Sequence, residues 1–155
     1  MYNISKLAAE SLCISCGKEN IKIVRPSNVV GIDSPSNLFI PSIIHEAIDK
    51  QKITLRSTLD SEKDFVHIDD VLEILFKISI NGKSKIYNIA MGKNTSSRAI
   101  IDEISKITGC TVEVIKNAPK YCFPEISIEK IKNEFDFKPQ SFFPLIKKMV
   151  LEYDH

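Results

Sequence analysis

The chain has 155 residues, 43% apolar and 26% charged, with 21 basic and 20 acidic side chains and a net charge of +1. This length fits one domain, or two small lobes on a shared core, and the even charge excludes a basic nucleic-acid stripe and an acidic disordered tail. The apolar runs are too short for a membrane span, and no basic start followed by an apolar run marks a secretion signal. Neither membrane nor nucleic acid is an expected partner, and the cytoplasm is the expected compartment.

In chain order, residues from Tyr2 to about Cys16 read as a helix. Ile4, Leu7, Ala8, Ser11 and Leu12 recur at helical spacing, and Gly17 is a stop. Ile21–Arg25 reads as a short strand ending at Pro26. Residues 27–36 carry Asn28, Gly31, Asp33 and Pro35 and read as a loop. A helix follows over about Asn37–Lys50, with Pro41 near its first turn, where proline is tolerated. Ile53–Leu55 and Asp64–His67 read as strands, and Asp69 as the N-cap of a helix bearing Leu72, Leu75 and Phe76.

Ile86–Ile89 reads as a strand, and Thr95, Ser96 and Ser97 offer caps to the next helix. Ile100, Ile101, Ile104 and Ile107 form its stripe, and Gly109 ends it. A strand over Thr111–Ile115, a short helix capped by Ser127, and a last helix from near Phe142 complete the chain. Strands alternating with helices argue for an α/β fold with parallel pairing.

The four cysteines are Cys13, Cys16, Cys110 and Cys122. Cys13 and Cys16 form a lone CxxC at a helix end, without the second ligand pair that zinc needs or the strand-then-helix setting of a redox motif. Structural thiols are expected, and no metal.

Tyr2 and Lys6 lie four residues apart, about 40° on a helix, and face away from the apolar stripe. A tyrosine with a pKa of about 10 is a poor base at neutral pH. A neighbouring ammonium favours the phenolate and lowers that pKa, so the pair can exchange a proton with a substrate hydroxyl.

The motifs that follow come in a recognisable order. They are "YNISKLAAE", "RPSNVVG", "SNLFIPSII", "KDFVHIDDV", "YNIAMGKNTSSRAIIDEI" and "ISIEKIKNEFDFKP". Together they resemble the extended short-chain dehydrogenases, the NAD-dependent nucleotide-sugar epimerases and dehydratases, with a likeness to the UDP-glucose 4-epimerases among them. The resemblance implies a nucleotide-sugar substrate, NAD or NADP as cofactor, and a Rossmann-like fold with a small α/β substrate-binding lobe. It implies Tyr2 as catalytic acid/base and Lys6 as the nicotinamide-ribose ligand that lowers the tyrosine's pKa. Asn28 would lie beneath the nicotinamide and reach the sugar. Asn37 and Leu38 would contact the diphosphate, Thr54 and Leu55 would pack on the base, and Lys63 would hold a phosphate.

Other residues have plainer explanations. Arg25 is as apt to pair within the fold as to touch a ligand. His67 reads as structural, Asp69 as a cap, and Asp70 as a solvated carboxylate. Arg98, in a first helical turn, is a candidate phosphate contact. Val30 stands where the family has tyrosine, Ile32 where it has proline, and Lys63 where it has arginine, which keeps the charge and loses the bidentate fork.

The five glycines, Gly17, Gly31, Gly82, Gly92 and Gly109, do not form the Gly-rich turn of a dinucleotide cradle. The resemblance therefore implies the C-terminal half of an extended short-chain dehydrogenase, with the N-terminal dinucleotide-binding half absent. Residues of about 1–35 and 64–95 would be the remnant of the Rossmann lobe, and about 36–63 and 96–155 the substrate lobe. A separate N-terminal half or a homodimer is the expected partner, covering Ile4, Leu7, Ala8, Leu12 and the strand after them.

Two functional readings stay open, so whether the isolated chain is an enzyme is left undecided. The first is an epimerase or dehydratase working by transient hydride transfer on a nucleotide sugar, in a form inactive alone. The second is a non-catalytic nucleotide-sugar-binding or assembly subunit.

Overall fold

A computed structural model describes residues 2–32 and 38–153 of the chain. The elements in order are α1 (Tyr2–Ser15), β1 (Ile23–Pro26), β2 (Asn28–Val30), α2 (Phe39–Asp49), β3 (Lys52–Leu55), β4 (Glu62–His67) and α3 (Ile68–Asn81). They continue with β5 (Ile86–Ile89), β6 (Asn94–Ser96), α4 (Ser97–Thr108), β7 (Thr111–Val114), α5 (Glu129–Phe135) and α6 (Phe143–Leu151).

Three parallel pairings organise the chain. β1 pairs with β5 in the register Ile23 to Ile86, β2 with β4 in the register Asn28 to Phe65, and β3 with β7 in the register Lys52 to Thr111. Each parallel return needs a crossover, and α2, α3 and α4 supply the helices. The exception is β6, which lies antiparallel on β4 with Lys63 opposite Thr95.

Two apolar clusters fill the interior. One gathers α2, β3, α4 and α6 around Ile44, Ile53, Ile104 and Ile146. The other gathers α3, β5 and α5 around Ile74, Tyr87, Ile89 and Ile131. Tyr87 is fully buried, and its hydroxyl meets both Glu134 carboxylate oxygens at 2.8 and 2.9 Å and accepts from the Ser84 N–H at 2.7 Å. Burial, with Glu134 beside it, pushes the phenol's pKa up. Tyr87→Phe leaves Glu134 and the Ser84 N–H without this partner, and a loss of about 1–3 kcal/mol is expected in urea unfolding.

The α4 helix forms as its sequence dictates. Ser96 Oγ accepts from the Ala99 N–H at 3.2 Å, Ile100, Ile101 and Ile104 are buried, and Gly109 closes the end at φ +70°. Gly17 likewise has positive φ just after α1.

Several local expectations are corrected. The N-cap of α3 is His67, whose Nδ1 accepts from the Asp69 N–H at 3.1 Å, so Asp69 lies in the first turn. Asp70 is buried rather than solvated, and accepts from the Gln140 N–H and Nε2 at 2.9 and 3.1 Å. Burial raises its pKa against the pull of those two bonds. α5 begins at Glu129 with no side-chain cap, so Ser127 does not start it. β2 and β6 are strands within stretches that read as loop and cap.

The fold class expected from the resemblance is also corrected. The alternating strand–helix–strand architecture with parallel pairing, which is Rossmann-type, lies within this chain, so its description as a remnant with its dinucleotide-binding half absent does not stand. The expectation of a separate N-terminal half as partner is corrected with it. Ile23 is 8% exposed, and both clusters are closed by residues of this chain. On α1, Ile4, Leu7 and Leu12 are exposed. Among the described residues no helix is long and apolar enough to cross a membrane.

Candidate functional site

The C-terminal end of β1, the start of β2 and the start of β4 meet at one place. Its centre is Asp64, 3% exposed, on a strand paired with β2 and β6. Its carboxylate accepts from Ser27 Oγ at 2.6 Å, the Met91 N–H at 3.0 Å and the Gly92 N–H at 2.8 Å. Asn28 Nδ2 donates to the Asp64 carbonyl at 2.8 Å. These four bonds fix Ser27 and Asn28 against β4 and against the turn after β5.

Two cavities share Asn28. The larger, about 660 Å³, is lined among others by Arg25, Asn28, Lys63, Asn88, Asn94 and Phe123. The smaller, about 360 Å³, includes Asn28, Gly31, Leu38, Pro41, Phe65 and Met149. Both volumes fall within the roughly 300–1,000 Å³ of small-molecule sites.

The wall of the larger cavity comes from a distant segment. Tyr121 and Cys122 run beside the start of β4, with the Glu62 N–H donating to the Tyr121 carbonyl at 2.8 Å and the Tyr121 N–H to Ser61 Oγ at 3.0 Å. That placement sets the Lys63 ammonium 5.9 Å from the Tyr121 ring centroid and 6.0 Å from that of Phe123. A cation over two aromatic rings is held by their quadrupoles while it keeps its charge for an anion.

Arg25 pairs with Glu10 of α1, its Nε donating to Oε2 at 3.0 Å. The guanidinium holds the Glu10 carboxyl below the usual carboxylate range. This pair ties α1 to a residue of the larger cavity.

The expected site residues are therefore divided. Asn28 and Lys63 share the larger cavity, and Asn28 and Leu38 share the smaller. Thr54 and Leu55 line neither cavity. Leu55 is buried in the core, and the Thr54 N–H is taken by Glu46 Oε2 at 2.9 Å. Tyr2 and Lys6 lie one helical turn apart on α1, and Lys6 is exposed. Asn37 lies outside the described residues. Arg98 donates to Asp60 Oδ1 at 3.1 Å.

Asn88, Asn94, Tyr121 and Phe123 were not among the expected site residues. The only local signal is the "YNIAMGKNTSSRAIIDEI" motif, which holds Asn88 and Asn94. The four free thiols join no group of three or more metal-ligating side chains among the described residues.

A profile of the NAD dependent epimerase/dehydratase family matches residues 1–90, more than half of the chain. The chain belongs to this family. It is 27% identical over 126 residues to the GDP-6-deoxy-D-mannose reductase of Pseudomonas aeruginosa, covering 75% of the chain and 41% of that protein. It is 29% identical over 119 residues to the GDP-6-deoxy-D-talose 4-dehydrogenase of Aggregatibacter actinomycetemcomitans, covering 75% of the chain and 40% of that protein.

The fold is also that of the UDP-glucuronic acid 4-epimerase from Bacillus cereus, solved with UDP-glucuronic acid and NAD. The TM-score is 0.81 at 21% identity, covering 99% of the chain and 53% of that structure. The chain thus spans about two fifths of the curated relatives it matches. These likenesses correct the narrower expectation of a C-terminal half similar to UDP-glucose 4-epimerase. They carry the family and a similarity to GDP-sugar enzymes, and do not make the chain specifically a C-terminal fragment.

A dinucleotide's pyrophosphate is cradled by backbone that only glycine leaves open. At Gly31, Gly82 and Gly92 the open side meets this chain's own atoms. An added Cβ would lie 3.1 Å from Ile68, 2.5 Å from the Ile78 carbonyl oxygen and 2.9 Å from Ile128, respectively. Gly17 and Gly109 end helices. None of the five glycines fits a pyrophosphate, so no step below is routed through the cofactor.

Proposed function

We propose that this chain binds a nucleotide-linked sugar in the cavities that share Asn28, and serves the hydride-transfer chemistry of its family. The observation that carries this reading is the shared cavity itself. It brings Asn28 and Lys63, from two separated family motifs, to one space of ligand size. In this reading Lys63 meets the diphosphate as a fixed cation and Leu38 lies along the diphosphate path, while Asn37 keeps only the diphosphate role that the resemblance implies. Asn28 contacts the sugar, and Thr54 and Leu55, which line neither cavity, take no part in the binding.

Tyr2 exchanges a proton with the reacting sugar hydroxyl, and the Lys6 charge favours the phenolate needed for it. A binding role without turnover is the second reading, favoured by glycines of which three abut this chain's own atoms and two end helices.

Two measurements test this. Mixing the chain with NADPH or NADH and a GDP-linked keto sugar should consume the reduced nicotinamide, and Tyr2→Phe should stop that consumption while binding persists. Sugar-nucleotide binding with no consumption selects the second reading, and no binding removes both. In calorimetry, Lys63→Ala should weaken GDP binding roughly tenfold by removing a charge-assisted contact, and Lys63→Arg should retain it.

A further inference from the structure

Three asparagines surround the larger cavity, and all are held in the same way. Asn28 Nδ2 donates to the Asp64 carbonyl at 2.8 Å, Asn88 Nδ2 to the Ser127 carbonyl at 3.0 Å, and Asn94 Nδ2 to the Phe123 carbonyl at 2.6 Å. The three carbonyls belong to residues that line the same cavity. Turning any of these amides over would set oxygen against oxygen, so each orientation is fixed. The result is three carboxamide oxygens that receive no hydrogen bond from the described residues. Asn94 Oδ1 is fully buried as well, the only buried side-chain polar atom without a partner among the described residues. A native buried acceptor of this kind calls for a donor from water or ligand.

The rest of the wall narrows the choice of ligand. Phe123 is 54% exposed, and the Lys63 ammonium lies 6.0 Å from its ring centroid. Unpaired acceptors on residues that line one space select a ligand rich in donors. An exposed aromatic ring selects one with apolar C–H surface, and the cation an attached anion. A pyranose joined to a phosphate has all three. A bare nucleobase presents few donors, and an acyl chain none.

We propose that the larger cavity holds the sugar ring, with Asn88 and Asn94 as specificity-determining acceptors for its hydroxyls and Phe123 against its C–H face. This rests on the nucleotide-sugar reading above. It extends that reading to residues outside the set implied by family resemblance, and gives each an assigned atom.

The test compares affinities of the full chain for GDP against GDP-mannose and for UDP against UDP-glucose, by calorimetry. At least one sugar nucleotide should bind about tenfold or more tightly than its bare diphosphate. In Asn88→Ala and Asn94→Ala that ratio should fall toward one, while the affinity for the bare diphosphate is unchanged. A merely structural role would move both affinities together. Asn88 is partly exposed, so its variant keeps the test valid if Asn94→Ala fails to fold. A ratio unchanged in both variants, or a wild-type ratio of one for both pairs, overturns the proposal and leaves diphosphate binding standing. No binding of any of the four ligands overturns the nucleotide-sugar reading and this proposal with it.

Discussion

Asp64→Ala should destabilise the chain by about 3–5 kcal/mol, the range for removing one partner from a buried charged network. The carboxylate is buried at 3% exposure and accepts three hydrogen bonds, two of them from the main-chain N–H groups of Met91 and Gly92. Those donors sit in the turn between β5 and β6, where Gly92 has φ +76° and an added Cβ would lie 2.9 Å from Ile128. The alanine methyl accepts nothing, so three donors lose their partner where water does not easily replace it. Asp64→Asn keeps one acceptor oxygen and should lose less. Equilibrium urea unfolding measures both variants, and a loss under about 1 kcal/mol for alanine would show that the network relaxes onto water. The effect should also reach the site, because Ser27 is fixed by this carboxylate and Asn28 by the Asp64 carbonyl.

Phe142→Ala should cost a similar amount, about 3–5 kcal/mol, by a different route. Phe142 is 1% exposed, at the entry to α6, with its ring centroid 5.5 Å from Phe65 of β4 and 4.9 Å from Phe143. It joins the last helix to the strand that carries Lys63 and Asp64. Truncation leaves a cavity among Phe65, Leu145 and Ile146 that a helix start anchored by Pro144 has little freedom to fill. Phe142→Leu should recover part of the loss. Because Phe65 lines the smaller cavity, the alanine variant should weaken ligand binding as well as stability. Thermal unfolding followed by circular dichroism reads the first effect, and calorimetry with GDP the second.

What the sequence makes legible here is local. α4 carries its cap, stripe and stop within fourteen consecutive positions, Ser96 to Gly109, and folds as read. β2 and β6 each have only three residues, and their strand character comes from partners far along the chain, such as Asn28 on Phe65 and Asn94 on Asp64. Turn-forming composition concealed both. Asp70 reads as solvated because its partner, Gln140, is seventy residues away. His67 caps α3 through a ring nitrogen, a role usually given to Ser, Thr, Asp or Asn.

The site divides on the same line. Asn28 and Lys63 stand in motifs and meet in one cavity. Asn94 stands in a motif but is placed there by its register on β4, and Phe123 reaches it on a segment crossing the edge of β4, which no local pattern marks. The resemblance carried the family correctly. It misjudged the architecture, because a Gly-rich motif was taken as the marker of Rossmann topology, whereas the topology rests on the parallel pairings of β1 with β5 and β2 with β4.

Titration of the isotope-labelled chain with GDP-mannose and with UDP-glucose, followed by amide chemical shifts, tests the central claim most directly. Shifts concentrated at Asn28, Lys63, Asn88, Asn94 and Phe123 for at least one of the two ligands are the predicted result. Saturable shifts confined to other parts of the chain, such as the β3–β7 pair, or no shifts with either ligand, would contradict it.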